Sequence, residues 1–389
     1  MTHVETRAVQ VKAPALNGSS PMAVPIYQTS TFACDDPDVC AGALRHPDRG
    51  YAYSRHANPT TRALEQTIAD LEGSAACLAA SSGMGAISAV LLGLLQSGDH
   101  VIAQSRLYGG THGVLSDLAR RFGIEVSRIV GTGTDELASV LRPRSRLLYL
   151  ETIANPTTDI ADLPTMLAAS RAAGLVSVVD NTFATPVLCR PHEYGADVVI
   201  HSATKYLGGH DDVVAGIAAF ADADLYRRVW QFGVNLGVVA DPFASRLVLR
   251  GIKTLPLRVA RHCENAGRLA RLLAGHPQVT NVRWPGLADH PGHALASRIL
   301  DGFGGVLCFD HIGGRAAAAE FVARLRQVVL APSLGGPETL VLHPASSSHR
   351  ELDANELRAA GIGEGTIRVS AGLEHFGDLQ ADFEQALAI

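Results

Sequence analysis

Apolar positions along this chain change texture at Pro59. Behind Asn58, a candidate cap, Leu64, Ile68 and Leu71 recur at helical spacing between Pro59, the first helical position, and a terminal Gly73. Further on, short apolar runs at 100–103, 124–129, 146–150, 175–179 and 196–200 alternate with helical patterns near 85–96, 111–122, 134–141 and 162–173. Strand-helix alternation of this kind predicts an α/β fold with a mainly parallel sheet covered on both faces. A ligand is expected beyond the carboxyl ends of its strands.

On either side of that region the pattern differs. Residues 1–58 have little periodicity and are rich in Pro, Gly, Ser and Asp, which predicts an extended arm lying against a neighbouring subunit. Residues 59–250 form the expected large domain. In 251–389 a long helical stretch from Arg258 leads to an apolar run at 304–310, a helix near 315–325, a strand through 365–370 and a closing helix, the pattern of a smaller α+β domain.

Composition narrows the class. With 389 residues, 47% hydrophobic and 18% charged, the chain has ample material for a buried core, which excludes a disordered or fibrous protein. A net charge of −5 supplies no general field for phosphate backbones and argues against nucleic acid as a partner. The start, Met1-Thr-His-Val-Glu-Thr-Arg, places an acid early with no apolar run behind it. The longest apolar stretch, 86–95, is about half of the ~20 residues a membrane span needs. A cytosolic protein is expected. Cys34, Cys40, Cys77, Cys189, Cys263 and Cys308 are scattered without zinc-site spacing and read as reduced packing residues.

Candidate chemistry sits at strand ends. Ser81-Ser-Gly-Met-Gly85 lies between a strand and a helix, where peptide N–H groups make an anion site and glycine lets a phosphate approach. On its own it reads equally as a tight turn. Asp180 closes an apolar strand in Val-Val-Asp-Asn-Thr-Phe-Ala-Thr-Pro, where a carboxylate needs a cationic or proton-donating partner; alone it reads as a helix cap. Lys205, in His-Ser-Ala-Thr-Lys-Tyr, follows the next strand, and the chain has only two other lysines, Lys12 and Lys253. A partly desolvated lysine there can form a Schiff base. An acid some two dozen residues before a lysine, with a phosphate-type nest upstream, matches pyridoxal 5'-phosphate: the acid keeps the pyridinium protonated and the lysine holds the aldehyde.

These segments, with Pro25-Ile-Tyr-Gln-Thr-Ser-Thr-Phe32 at one end and Arg368-Val-Ser-Ala-Gly-Leu-Glu374 at the other, resemble the trans-sulfuration (cysteine/methionine-metabolism) group of fold-type I pyridoxal-phosphate enzymes. That group includes cystathionine and methionine γ-lyases, cystathionine γ-synthase and O-acylhomoserine sulfhydrylases. The resemblance implies that Lys205 is the Schiff-base lysine and Asp180 the pyridinium partner. It makes Gly83 and Met84 the phosphate nest, with hydroxyls from Ser202 and Thr204. Tyr108 matches the tyrosine that stacks on the ring and moves protons, and Asn155 the asparagine near the cofactor's phenolic oxygen and the substrate. Tyr53 and Arg55 match residues that reach the phosphate of the adjacent subunit, which implies a homotetramer built from dimers. Arg368 matches the arginine that grips the substrate α-carboxylate, with Ser333 beside it.

The implied activity is cleavage of a sulfur amino acid at its γ-carbon, giving 2-oxobutyrate, ammonia and a thiol; γ-replacement by a thiol is the alternative, and a non-catalytic cofactor-binding regulator a third reading. Gly110 and Glu338 resemble cystathionine enzymes, whereas 343–349 (His-Pro-Ala-Ser-Ser-Ser-His) resembles methionine γ-lyases and O-acetylhomoserine sulfhydrylases. Phe232–Gly237 lacks the Lys-Asp pair of methionine γ-lyases. His343 and His349, a nominal metal pair, read as structural, and Trp230 and Trp284 as packing residues.

Overall fold

In the computed structural model, helix Pro59–Glu72 forms where its signals place it: Asn58 Oδ1 accepts from the Thr60 N–H at 2.9 Å, Pro59 opens the first turn, and Gly73 closes the last in a left-handed conformation. Leu64, Ile68 and Leu71 are completely buried, each contributing about 1.5–3 kcal/mol. The structure describes residues 2–11, 19–350 and 352–388; Lys12 and the rest of 12–18, part of the expected arm, lie outside the described residues. In chain order the strands are β1 (Ala76–Ala80), β2 (His100–Gln104), β3 (Glu125–Ile129), β4 (Ser145–Glu151), β5 (Val176–Asp180), β6 (Val198–Ser202) and β7 (Gly216–Phe220). There follow β8 (Val279–Arg283), β9 (Val306–His311), β10 (Val329–Leu330), β11 (Leu340–Leu342) and β12 (Thr366–Ser370).

The chain divides into two units, Met1–Leu95 with Asp197–Leu255, and Gln96–Ala196 with Pro256–Ile389. In the first, β1, β7 and β6 lie side by side, and both pairings are antiparallel. The sequence reading did not include β7. Its Gly-Ile-Ala-Ala-Phe is buried at every position and shows no alternation to distinguish strand from loop. Helix Gly83–Leu94 covers β6 and β7, and helix Pro59–Glu72 covers β1. The arm is stitched down at its end: Asn58 Nδ2 donates to the Tyr27 carbonyl at 2.8 Å, and Thr60 Oγ1 accepts from the Tyr27 N–H at 2.9 Å. It is also less extended than expected. It contains helices Val4–Val9 and Pro37–Arg45, the second capped by Asp36, which accepts from Val39 N–H at 2.8 Å. Helices this short carry too little periodicity to stand out.

In the second unit, β5, β4, β2 and β3 are neighbours in that order and all parallel, as the strand-helix alternation predicts. Helices Gly109–Phe122, Thr134–Val140 and Leu163–Ala172 connect them. The carboxyl ends of β4 and β5 match residue for residue, Glu151 opposite Asp180. The smaller C-terminal α+β part has a five-stranded sheet in the order β10-β11-β12-β9-β8. Its core gathers Phe309, Phe321 and Phe383 with Leu269, Leu273 and Val369. Trp284 packs in this core and its indole N–H donates to the Gly304 carbonyl at 2.9 Å. Among the described residues no helix is long and apolar enough to cross a membrane.

Asp382, buried on the closing helix Phe376–Leu387, accepts from the N–H groups of Arg326, Gln327 and Val328 at 2.9, 2.9 and 3.0 Å. Burial works to raise its pKa, but these donors and Gln385 outweigh it and hold the group below the ordinary value of 3.8. A depressed carboxylate contributes stability that is present above the unfolded-state value and is lost as the pH falls through the folded one. Asp382→Asn should therefore cost about 2–3 kcal/mol at neutral pH, read from denaturant midpoints. The gap between variant and parent should close as the pH drops below about 4; a gap independent of pH contradicts the assignment.

Candidate active site

Helix Gly83–Leu94 starts three residues after β1. Ser82 caps it, its Oγ accepting from the Gly85 N–H at 2.9 Å. The N–H groups of Gly83 and Met84 belong to the first turn, which has no acceptor inside the helix and carries the positive end of its dipole. A Cβ on Gly83 would stand 2.8 Å from Ser202 Cβ and 2.9 Å from its Oγ, so glycine is what lets the helix start meet the end of β6. Gly83 and Ser202 thus meet. Thr204 is engaged otherwise: its hydroxyl donates to the Ala215 carbonyl at 3.2 Å and accepts from the Ala215 N–H at 3.1 Å. Giving its proton to a phosphate requires exchanging the first of these bonds. Half-buried Lys205 follows in a turn closed by its own N–H to the Ser202 carbonyl and by Gly209 N–H to the Lys205 carbonyl. Tyr53 and Arg55 are exposed, the guanidinium carbon 5.5 Å from the ring centroid.

The second unit holds the remaining candidates. Asp180 ends β5 half-buried and accepts from Thr182 through its N–H at 3.0 Å and its hydroxyl at 2.5 Å. Opposite it, Glu151 ends β4 and is buried; one carboxyl oxygen accepts from the Tyr108 N–H at 2.6 Å, the other from the Asn155 N–H at 2.9 Å. Burial and then the Asp180 charge push the Glu151 carboxyl well above the usual range, while the two N–H groups pull the other way. Tyr108 precedes helix Gly109–Phe122 and keeps 37% of its surface exposed.

Arg368, third residue of β12, is only 4% exposed. It donates to Asn155 Oδ1 at 3.1 Å and to the Ser333 carbonyl at 2.6 Å, so Asn155, Ser333 and Arg368 are gathered at one place. Ser333 takes part through its backbone. Sequence reasoning missed Glu151, although it ends an apolar run much as Asp180 does. What set Asp180 apart was its spacing from Lys205, whereas Glu151 acts on peptide N–H groups, which no motif displays.

The donor sets fit pyridoxal phosphate: N–H groups and a hydroxyl for phosphate, a carboxylate for a ring N–H, and a buried guanidinium for an amino-acid carboxylate. Fold and residues define a cofactor-dependent α/β enzyme of amino-acid chemistry. More narrowly, the chain belongs to the Cys/Met metabolism PLP-dependent enzyme family, whose model matches residues 5–388. It is 42% identical to an L-methionine gamma-lyase from Fusobacterium nucleatum subsp. polymorphum over 370 residues, 94% of this chain and 93% of that protein. Among solved structures, cystathionine gamma synthase from Xanthomonas oryzae pv. oryzae, in complex with aminoacrylate and cysteine, aligns with a TM-score of 0.94 at 39% identity, covering 100% of this chain and 98% of that one. A putative O-acetylhomoserine (thiol)-lyase from Campylobacter jejuni subsp. jejuni, bearing N'-pyridoxyl-lysine-5'-monophosphate, aligns at 0.95 and 31% identity over 100% of both chains. The fold is that of the fold-type I enzymes, and the cofactor is pyridoxal 5'-phosphate.

Removing the Glu151 carboxyl leaves the buried Asn155 N–H and the partly buried Tyr108 N–H without their acceptor. Glu151→Ala should destabilise the protein by about 2–4 kcal/mol in chemical denaturation, and Glu151→Gln, which keeps one acceptor, by about half as much. Equal losses for the two variants would rule out this role.

Proposed function

We propose that this chain is a C–S γ-lyase that converts a sulfur amino acid of methionine or cystathionine type to 2-oxobutyrate, ammonia and a thiol. The observation that carries the reading is Arg368, a buried guanidinium whose plane is fixed by Asn155 and Ser333, the receiver an α-carboxylate requires. The 42% identity to an L-methionine gamma-lyase favours elimination. The cystathionine gamma synthase structure speaks for γ-replacement as the second reading.

Bound pyridoxal phosphate supplies an electron sink that acidifies the substrate's α- and β-carbons. In this reading Lys205 would hold the cofactor and, once the substrate amine takes its place there, the freed ε-amine would take the Cα proton and move protons between Cα and Cβ. Asp180 keeps a ring nitrogen protonated. Gly83 and Met84 donate N–H groups to the phosphate, and Ser202 and Thr204 donate hydroxyls. Asn155 serves the phenolic oxygen of the ring while its amide oxygen orients Arg368. Tyr108 stacks on the ring and gives a proton to the sulfur leaving the γ-carbon. Tyr53 and Arg55, exposed on the arm, complete the phosphate site of an adjacent copy, which requires a dimer at least; the same reading pairs two such dimers in a cytosolic homotetramer.

The purified protein should show the absorbance of a lysine-bound cofactor, and Lys205→Ala should abolish it. With methionine, cystathionine, homocysteine, cysteine and O-acylhomoserines, 2-oxobutyrate without thiol adduct is expected from at least one sulfur substrate. Adducts alone would establish replacement instead. Arg368→Lys, which loses the two-pronged grip, should raise KM about 100-fold with a smaller change in kcat.

A further inference from the structure

His349 lies between two of these groups without belonging to either. The segment that carries it leaves β11 at Leu342, the residue paired with Arg368 across the sheet. It then turns through Pro344–Ser346 and returns to the chain just before Tyr108. There His349, 2% exposed, places Nε2 at 3.2 Å from the Leu107 carbonyl and Nδ1 at 2.9 Å from the Ser348 hydroxyl. A carbonyl only accepts, so Nε2 bears the proton and Nδ1 accepts from Ser348. The residue is anchored from behind by its backbone N–H, which donates to the Pro344 carbonyl at 3.0 Å. On the other side of Tyr108, a Cβ on Gly109 would lie 2.0 Å from the Ser348 carbonyl oxygen, so this backbone is pressed against the start of helix Gly109–Phe122. Peptide groups on both sides of Tyr108 are therefore held by one segment.

We propose that His349 is a positioning residue: a neutral imidazole that clamps the 343–349 segment onto the Leu107–Gly109 backbone, so that Tyr108 is held in register with the Arg368 strand. This rests on the reading of Tyr108 as stacking and proton-moving residue and of Arg368 as carboxylate receiver. A clamp between them fixes how far the leaving group lies from the α-carboxylate, the quantity a γ-specific enzyme must control. Burial, with Arg368 from β12 and His112 from helix Gly109–Phe122 facing the ring, lowers the imidazole pKa to about 4 against the pull of the Leu107 carbonyl. The accepting Nδ1 therefore persists throughout the neutral range.

A double-mutant cycle tests this on the holoenzyme, reading kcat with the best sulfur substrate and, separately, the affinity of the apo protein for pyridoxal phosphate. His349→Ala should lower kcat about tenfold or more and weaken cofactor binding severalfold, with KM within about threefold. His349→Gln, whose amide can still donate to Leu107, should recover most of the loss. In a Tyr108→Phe background His349→Ala should cost less than about twofold in kcat, because the group it positions has lost its proton. Gly109→Ala, which pushes the same contact apart from the other side, should behave alike if His349→Ala does not fold. Equal losses in the two backgrounds, or no rescue by glutamine, overturn the proposal. A Tyr108→Phe change that leaves both kcat and cofactor affinity intact overturns the reading of Tyr108 instead.

Discussion

Glu151 ends β4 with a buried carboxyl from which the loops after two adjacent parallel strands are hung. One oxygen holds the peptide N–H of Tyr108, beyond β2, and the other that of Asn155, beyond β4 itself. At the carboxyl edge of a parallel sheet the ladder stops, and each loop must find other partners for its first N–H groups. A single side chain with two acceptors solves this for both loops. It also makes their positions interdependent, since neither N–H can move without giving up a buried hydrogen bond. Asn155 passes the constraint on to Arg368 through its amide oxygen. The Tyr108 backbone, Asn155 and, through its amide, the Arg368 guanidinium thus share one anchor.

The same economy governs the helix start at Gly83. A phosphate cradle needs N–H groups with no internal acceptor, a hydroxyl close by and no side chain in the way. The 2.8 Å gap between a hypothetical Gly83 Cβ and Ser202 brings helix start and strand end together only because the side chain is missing. A larger residue at 83 would separate the N–H groups from the hydroxyl.

Legibility in the sequence follows the range of each interaction. Helix Pro59–Glu72 was readable because its cap, its proline, its apolar face and its terminal glycine all act within a few residues. The strands β2 to β6 were readable as apolar runs between helical patterns. By contrast β7 is built of small residues buried throughout, and β10 and β11 have two and three residues, so pairing and burial alone make them strands. Asp180 and Lys205 stood out through their strand-end positions and the spacing between them, and Arg368 through the family resemblance alone. Glu151 did not, and His349 stood out only as half of a nominal metal pair, because the bonds that matter run to backbone atoms of Tyr108, Asn155 and Leu107, between 4 and 242 positions away. Thr204 marks a further limit: residue type identifies a hydroxyl, but only the structure reveals its existing bonds to Ala215.

Net charge and site charge answer different questions, and Arg368 shows why. The chain's −5 is a formal sum over all its charged groups, and those that face solvent are screened by water and salt within about 10 Å. Arg368 lies in a β-strand, buried, and its observed partners Asn155 and Ser333 are neutral acceptors that fix the plane of the fork without themselves cancelling its charge. Attraction for a carboxylate is strengthened there by the low local dielectric, and the fixed plane spares the entropy of ordering a flexible side chain on binding. In the proposed reading Arg368 receives the substrate's α-carboxylate, which is common to every amino acid, so Arg368 cannot discriminate among them. Discrimination has to come from where the proton for the leaving group stands relative to that carboxylate. Clamps on the backbone around Tyr108, more than further contacts to the amino acid itself, are therefore where a γ-specific enzyme of this fold has to be built rigid.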